Sequence, residues 1–243
     1  KSIYGVDIES HAIEIAKLRL WLSLIIDESN YEKINPLPNL NFKFIVGNSL
    51  YQSSQLNLFE YPIFEKIQTL KDEFLTTTSY SKQRKLIKDI ENLYQELDQN
   101  KESFDYAKNF SEIFSNKKIE LNGFDIVIGN PPYVRGDVEK NNIETRSENI
   151  IYKKLYEDVY GGGRTDLYIY FIKKGEEISK KNGIISFIIS NKWMSANYGK
   201  NCRIYLSKKK IENIIDFGNL PIFQAGVNVN ILTYKNRLND YKD

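Results

Sequence analysis

Phe124-Asp125-Ile126-Val127-Ile128-Gly129-Asn130-Pro131-Pro132-Tyr133 is the stretch whose reading decides the fold. Residues 124–128 form a short apolar run, introduced by Gly123, with the length of a buried strand. The run stops at Gly129, and Asn130-Pro131-Pro132-Tyr133 follows at once. Two prolines fix φ and remove two backbone donors. The turn is therefore stiff, and the Pro131 carbonyl is left as an acceptor that no helix consumes. Asn130 adds a side-chain oxygen beside it, and Tyr133 adds a flat ring. Two fixed acceptors and a ring suit an exocyclic amine on a planar base, because the amine donates two hydrogen bonds while the ring stacks. The plainer alternative is a rigid loop that closes a strand.

Strands and helices alternate outward from this point. Upstream, Ser2-Ile3-Tyr4-Gly5-Val6-Asp7 reads as a strand. A helix follows from Glu9 to about Ile26, starting near Ser10, with Ile13, Ala16, Leu20 and Ile25 near one face. Asn30–Asn41, with Pro36 and Pro38, reads as a loop, and Asn41–Val46 as a second strand stopping at Gly47-Asn48-Ser49-Leu50. Residues 51–120 change character, being rich in Lys, Glu, Gln, Asn and Tyr. Ile67, Leu70 and Phe74, then Leu86, Ile90, Leu93 and Leu97, keep a three-four spacing on either side of Thr76-Thr77-Thr78-Ser79. This is the pattern of a helical hairpin inserted between strands, and packing explains it without any catalytic role.

Downstream, residues 134–164 are polar and read as a flexible loop with Gly161-Gly162-Gly163. Thr165-Asp166 is placed to cap a helix running to about Lys180. Asn182-Gly183 is a turn before the apolar strand Ile184–Ser190. Tyr198–Lys209 reads as a helix, with Lys208-Lys209-Lys210 as its solvated end. Ile211–Phe217 and Val227–Tyr234 are further strands, which can pair antiparallel because no helix separates them. The whole predicts an α/β fold with a mostly parallel sheet.

A hydrophobic fraction of 41% with 27% charged residues is that of a globular chain, and no apolar run is long enough to span a bilayer. Net charge of +2 neither demands nor excludes nucleic acid. One cysteine, Cys202, excludes an intrachain disulfide framework and most cysteine-rich zinc sites. The one histidine, His11, falls early in a helix, a poor setting for a catalytic base. Both are read as structural, and no metal is expected.

Ligands of open parallel sheets bind beyond the carboxyl ends of the strands. Asp7, Asn48 and Asn130 occupy such ends. A carboxylate at Asp7 can accept from both ribose hydroxyls of an adenosyl group, or it can simply favour the start of a helix. An amide at Asn48 can bond the edge of an adenine, or it can form a turn.

Together these segments resemble the amino-group S-adenosylmethionine methyltransferases, within them the adenine-N6 DNA enzymes of restriction–modification systems, as in the type II (type IIG-like) polypeptides. Asn130-Pro131-Pro132-Tyr133 resembles the signature after the fourth strand of their Rossmann-like sheet. Ile3–Ile8 is similar to the acidic second-strand motif, and Ala16–Ser23 to the helix after it. Gly47-Asn48-Ser49-Leu50 is similar to the third-strand motif. Thr165–Phe171 and Gly183–Ser190 resemble the next helix and strand. Pro221-Ile222-Phe223 with Val227–Leu232 resembles the loop and strand that offer an aromatic to the target base.

The resemblance implies a partial class I methyltransferase domain over 1–243, with its first strand missing upstream of Asp7. The chain opens at Lys1 directly into a strand, which fits that expectation. It implies S-adenosylmethionine as cofactor, with Asp7 on the ribose, Ile8 against the adenine and Asn48 on its edge. It implies double-stranded DNA with a flipped adenine as substrate. Asn130 and Pro131 would accept from the amino group, with Pro132 stiffening the turn. Tyr133 would stack on the base, and Phe223 would contact its other side. Ile8 and Phe223 can instead be core residues. Asn191-Lys192-Trp193 is a further stretch placed to line the pocket. The remaining partners implied are the upstream motif and a target-recognition domain of the parent protein, with any nuclease domain lying elsewhere, and no membrane. No targeting signal is visible, which makes the bacterial cytoplasm the default. The rivals are an RNA, cytosine-N4 or protein-glutamine amino methyltransferase, and a non-catalytic fragment that binds DNA or a partner.

Overall fold

The computed structural model describes residues 2–26, 38–50, 61–77, 79–97, 104–114, 118–133, 150–162, 165–223 and 226–239. Their contacts fall into two compact units, residues 1–112 and 113–243.

The first unit holds two parallel strands, β1 (Gly5–Asp7) and β2 (Phe44–Val46), in the register Gly5↔Phe44, Val6↔Ile45, Asp7↔Val46. The helix α1 (Ser10–Ile25) connects them, as a parallel pair requires. Its N-cap is Glu9 and no side chain caps it, so Ser10 does not play the part its type suggests. The predicted loop before β2 contains a 3-10 turn at Pro38–Phe42, which shortens the strand expected from Asn41.

The inserted hairpin is α2 (Tyr61–Thr76) and α3 (Tyr80–Leu97). Ile67, Phe74, Leu86 and Ile90 are buried, at the spacing that predicted the helices. Further chain from 104 continues the same core. Asp105 caps α4 (Tyr106–Asn109) by accepting from the Ala107 and Lys108 amides, and α5 (Ser111–Phe114) follows. Phe104, Tyr106 and Phe110 are buried, and Phe110 meets the Tyr4 ring edge-on at 5.0 Å. Lys71, on α2, is buried and donates to the Asn109 carbonyl at 3.0 Å, with Glu112 at 3.9 Å. Desolvation pulls its ammonium pKa down.

The second unit is built on one sheet, in the order β3-β4-β6-β5, from β3 (Phe124–Gly129), β4 (Ser179–Ser190), β5 (Lys209–Asp216) and β6 (Val229–Leu238). β3 and β4 are parallel, whereas β6 runs antiparallel to both β4 and β5. The sheet is thus mixed, and the pairing expected of the last two strands is present. Between β3 and β4 lies α6 (Leu167–Glu177), and between β4 and β5 lies α7 (Lys200–Ser207).

One face of the sheet carries Ile185, Phe187 and Ile189 on β4, paired with Tyr234, Leu232 and Asn230 on β6. All are buried. α6 covers this face with buried Ile169 and Ile172, and the Tyr234 hydroxyl donates to the Ile172 carbonyl. Burying an aliphatic or aromatic side chain of this kind stabilises a fold by about 1.5–3 kcal/mol. On the opposite face Ser186 and Thr233 pair through their hydroxyls at 2.9 Å.

Several expectations need correction. The helix expected to reach Lys180 stops at Glu177, and β4 begins before Asn182-Gly183. Asn182 has φ +66°, and the β3–β4 register breaks between Phe124↔Ser179 and Ile126↔Ile184, so the dipeptide distorts the ladder rather than preceding it. Lys209 does not sit on a solvated helix end. It belongs to β5 and forms a 2.6 Å ion pair with Glu176.

Part of the expected flexible loop 134–164 is regular structure. Residues 134–149 and 163–164 lie outside the described residues, but 150–155 are helical, and Tyr152, Tyr156 and Val159 are buried. Tyr156 stacks on Tyr170 at 5.4 Å, and Tyr152 lies 5.3 Å from the same ring. The chain then turns through Gly161, where an added Cβ would lie 1.7 Å from the Tyr198 carbonyl oxygen. Close backbone approach, not flexibility, explains that glycine.

Two outcomes follow for stability. Gly161→Ala is expected to destabilise the fold by about 1–3 kcal/mol, the usual cost of overpacking, read from urea or thermal unfolding. The Tyr4 and Tyr106 phenols are raised from 10.0 to about 12, chiefly by burial. A phenol raised in this way stabilises the fold below pH 10, and the contribution is lost as pH rises through its folded value. The unfolding temperature should therefore fall between about pH 10 and pH 12.

Candidate active site

β1 and β2 bring Asp7 and Asn48 to the carboxyl ends of neighbouring strands, since Asp7 pairs with Val46 and the Gly47 amide donates to the Asp7 carbonyl at 2.8 Å. Asp7 Oδ1 accepts from the Glu9 amide at 2.9 Å, and among the described residues Oδ2 takes no hydrogen bond. Beside it Ile8 is 66% exposed, so it is not the core residue it could have been. An outward carboxylate oxygen next to an exposed branched side chain offers a charged acceptor and an apolar contact to one ligand. Asn48 Oδ1 accepts from the Leu50 amide at 3.0 Å, which is the turn-forming reading of that residue. A carbonyl oxygen has a second lone pair, so this bond does not by itself exclude a ligand contact.

In the second unit, residues 130–133 follow β3 without regular secondary structure. Pro131 is buried and anchors the turn, while Asn130 and Pro132 are exposed and Tyr133 is half-buried. The Tyr133 hydroxyl lies 2.9 Å from Asn130 Oδ1 and 3.2 Å from the main-chain carbonyl oxygen of Ile188, on β4. Burial raises the Tyr133 phenol above its ordinary value, so it stays protonated and donates. The ring faces Phe223, with centroids 6.2 Å apart and planes inclined at 57°. Phe223, far from Tyr133 in sequence, is thus its neighbour, and Tyr133 in turn bonds Asn130. An acceptor oxygen beside two aromatic rings is an arrangement that can hold a planar amine.

A hydrogen-bond network around the start of α6 escaped the sequence reading. Asp166 occupies the N-cap position of α6, yet its side chain does not cap the helix. It accepts instead from the Tyr198 hydroxyl at 2.8 Å, and Tyr198 lies 3.1 Å from the Tyr168 hydroxyl. Thr165 accepts from the Gly161 amide and donates to the Gly162 carbonyl. Only the pairing of an Asp at a cap with tyrosines on two helical segments could have hinted at this network, and sequence spacing does not reveal it. Asn191 donates to Asp216 at 3.2 Å. Trp193 is 4% exposed and so serves the interior. Cys202 is fully buried, and burial pushes its thiol up to about 12. Among the described residues no group of three or more His, Cys, Asp or Glu could hold a metal ion, and no helix is long and apolar enough to cross a membrane.

Comparison with known proteins gives this geometry a context. The family model described as "Eco57I restriction-modification methylase" matches residues 1–223. The chain is 31% identical over 131 residues to the type II restriction enzyme and methyltransferase RM.Eco57I of Escherichia coli, covering 53% of this chain and 13% of that protein. It is 32% identical over 127 residues to the type II methyltransferase M.AccI of Acinetobacter calcoaceticus, covering 47% of this chain and 22% of that protein. The chain therefore matches less than a quarter of the length of either relative. Among solved structures, a cryo-EM structure of a DrdV–DNA complex superposes with a TM-score of 0.52 at 15% identity, covering 97% of this chain and 20% of that one. At that identity the likeness concerns the fold alone.

Proposed function

Because the chain belongs to the Eco57I restriction-modification methylase family, we propose that it is the catalytic part of a DNA methyltransferase that transfers a methyl group from S-adenosylmethionine to the N6 amino group of adenine. The observation that carries the reading is Asn130 Oδ1 at the end of a sheet strand, with the Tyr133 and Phe223 rings beside it.

Adenine N6 is a poor nucleophile because its lone pair is delocalised into the ring. Hydrogen bonds accepted by Asn130 Oδ1 and the Pro131 carbonyl draw both amine hydrogens toward the protein. The nitrogen is then favoured in a pyramidal form whose lone pair is available. Pro131 and Pro132 keep these acceptors in place before the substrate arrives, so little reorganisation is needed at the moment of reaction. Tyr133 offers a stacking face, and Phe223 offers a second contact. A base inside a duplex cannot reach such a turn, so the target adenine must leave the stack.

The residues at the end of β1 fit an adenosyl group. Asp7 has an outward oxygen for ribose hydroxyls, and exposed Ile8 offers an apolar surface for a purine face. Asn48 adds an amide at the end of the neighbouring strand. When bound, S-adenosylmethionine supplies a methyl group on a sulfonium, an electrophile that needs no metal or acid to activate it. Alignment is then the main task left to the protein.

The test uses the full-length polypeptide with isotopically labelled S-adenosylmethionine and genomic DNA, followed by sequencing that maps N6-methyladenine. Label in adenine N6 at one repeated sequence is the expected result. Label in RNA, in cytosine or in a protein glutamine overturns the assignment. Asn130→Ala should lower transfer by about 100- to 1000-fold, the usual effect of deleting one preorganised polar group at a reacting centre. Its unfolding transition should be unchanged. Asp7→Ala should weaken S-adenosylmethionine binding by about tenfold or more in calorimetric titration, as expected for loss of hydrogen bonds to a charged group.

A further inference from the structure

The amine acceptor and the stacking face are both engaged by the protein itself. Asn130 Oδ1 receives the Tyr133 hydroxyl at 2.9 Å, and the Tyr133 ring meets Phe223 at 6.2 Å between centroids. A base sandwiched between two parallel rings needs roughly 7 Å between their centres, two ring-to-ring contacts deep. The rings here are closer than that and inclined at 57°. The hydroxyl's engagement has an alternative in view. A hydroxyl carries one proton, and the Tyr133 hydroxyl has a second acceptor at 3.2 Å in the Ile188 carbonyl. Phe223 lies between Gly218 and Gly226, which have φ of +57° and +62° and open space around their Cβ positions.

We infer that the Tyr133 hydroxyl is an exchangeable occupant of the amine-accepting position, and that the Ile188 main-chain carbonyl is the acceptor it moves to when a target amine displaces it. This rests on the function proposed above and adds a selectivity element to it. Without a target, Asn130 Oδ1 is satisfied by the protein's own hydroxyl. An incoming exocyclic amine replaces that donor, and the hydroxyl turns to Ile188 with little movement of the ring. A purine lacking the amine has nothing to offer Asn130, so the hydroxyl stays where it is. The native enzyme is consequently a slightly weaker discriminator of the amine than it would be without the hydroxyl, because the hydroxyl gives up a 2.9 Å bond for one of 3.2 Å. Ile188 acts through Tyr133 and is a positioning residue.

The experiment is a two-by-two comparison on the full-length polypeptide. Native protein and Tyr133→Phe are each titrated, without methyl donor, with duplexes bearing adenine or unsubstituted purine at the methylated position found by sequencing. Tyr133→Phe keeps the ring and removes only the hydroxyl, and thermal unfolding checks that the fold is retained. The expected result is that preference for adenine over purine rises by about twofold in Tyr133→Phe, the part of one neutral hydrogen bond that the longer bond to Ile188 does not restore. An unchanged preference overturns the inference, because the hydroxyl then does not compete for Asn130. A reduced preference also overturns it, and assigns the hydroxyl to orienting the Asn130 amide. These outcomes are separate from failure of the function itself, which would show as absence of label from adenine N6 in the native protein.

Discussion

The register of β4 against β6 is the constraint on which the second unit depends. Seven pairs, from Ile184↔Lys235 to Ser190↔Val229, run without a break. They set Ile185, Phe187 and Ile189 on one face with Leu232 and Tyr234. A slip of β4 by one residue would turn Ile185, Phe187 and Ile189 outward and bring Ser186 toward the core. The same register fixes where the Ile188 carbonyl lies, and so where the Tyr133 hydroxyl can find a partner. Packing energy and site geometry are therefore two results of one pairing.

This division of labour explains the contrast between the strands and their ends. The interior-facing apolar residues of β4 and β6 are buried against one another. Asn130, Pro132 and Ile8, just past strand ends, are exposed. A parallel strand must leave the sheet at its carboxyl end, where the chain is free of the ladder and its side chains need no interior partner. Ligand-facing groups collect there because the fold makes no other claim on them.

Much of this was legible in the residues. Ile67, Phe74, Leu86 and Ile90 wrote the hairpin in their spacing, because a helix face returns every three or four positions. The apolar runs at 124–128 and 184–190 marked their strands, and Asn130-Pro131-Pro132-Tyr133 marked its own turn. The bounds were less legible. Asn182 and Gly183 have turn chemistry, yet they sit within a strand at a break in register, because the neighbouring β3 tolerates a distortion there. The Asp166–Tyr198–Tyr168 network was invisible, since it joins segments some thirty residues apart by hydrogen bonds that leave no periodic trace. The nearness of Phe223 to Tyr133 came only through a likeness to other proteins, for no local pattern links the two. The helix within 150–155 was hidden by its polar and glycine-rich surroundings.

The burial of Cys202 has a practical consequence. It is the one cysteine in the sequence, it has no exposed surface, and its thiol stays protonated at neutral pH. Alkylating reagents act on the thiolate and need access to it. To a maleimide the folded chain is thus nearly blank. A single cysteine introduced at an exposed position would carry a fluorophore or spin label at one defined place, with no native thiol to remove first. The folded state also reports on itself, because reactivity at Cys202 would appear only when α7 opens.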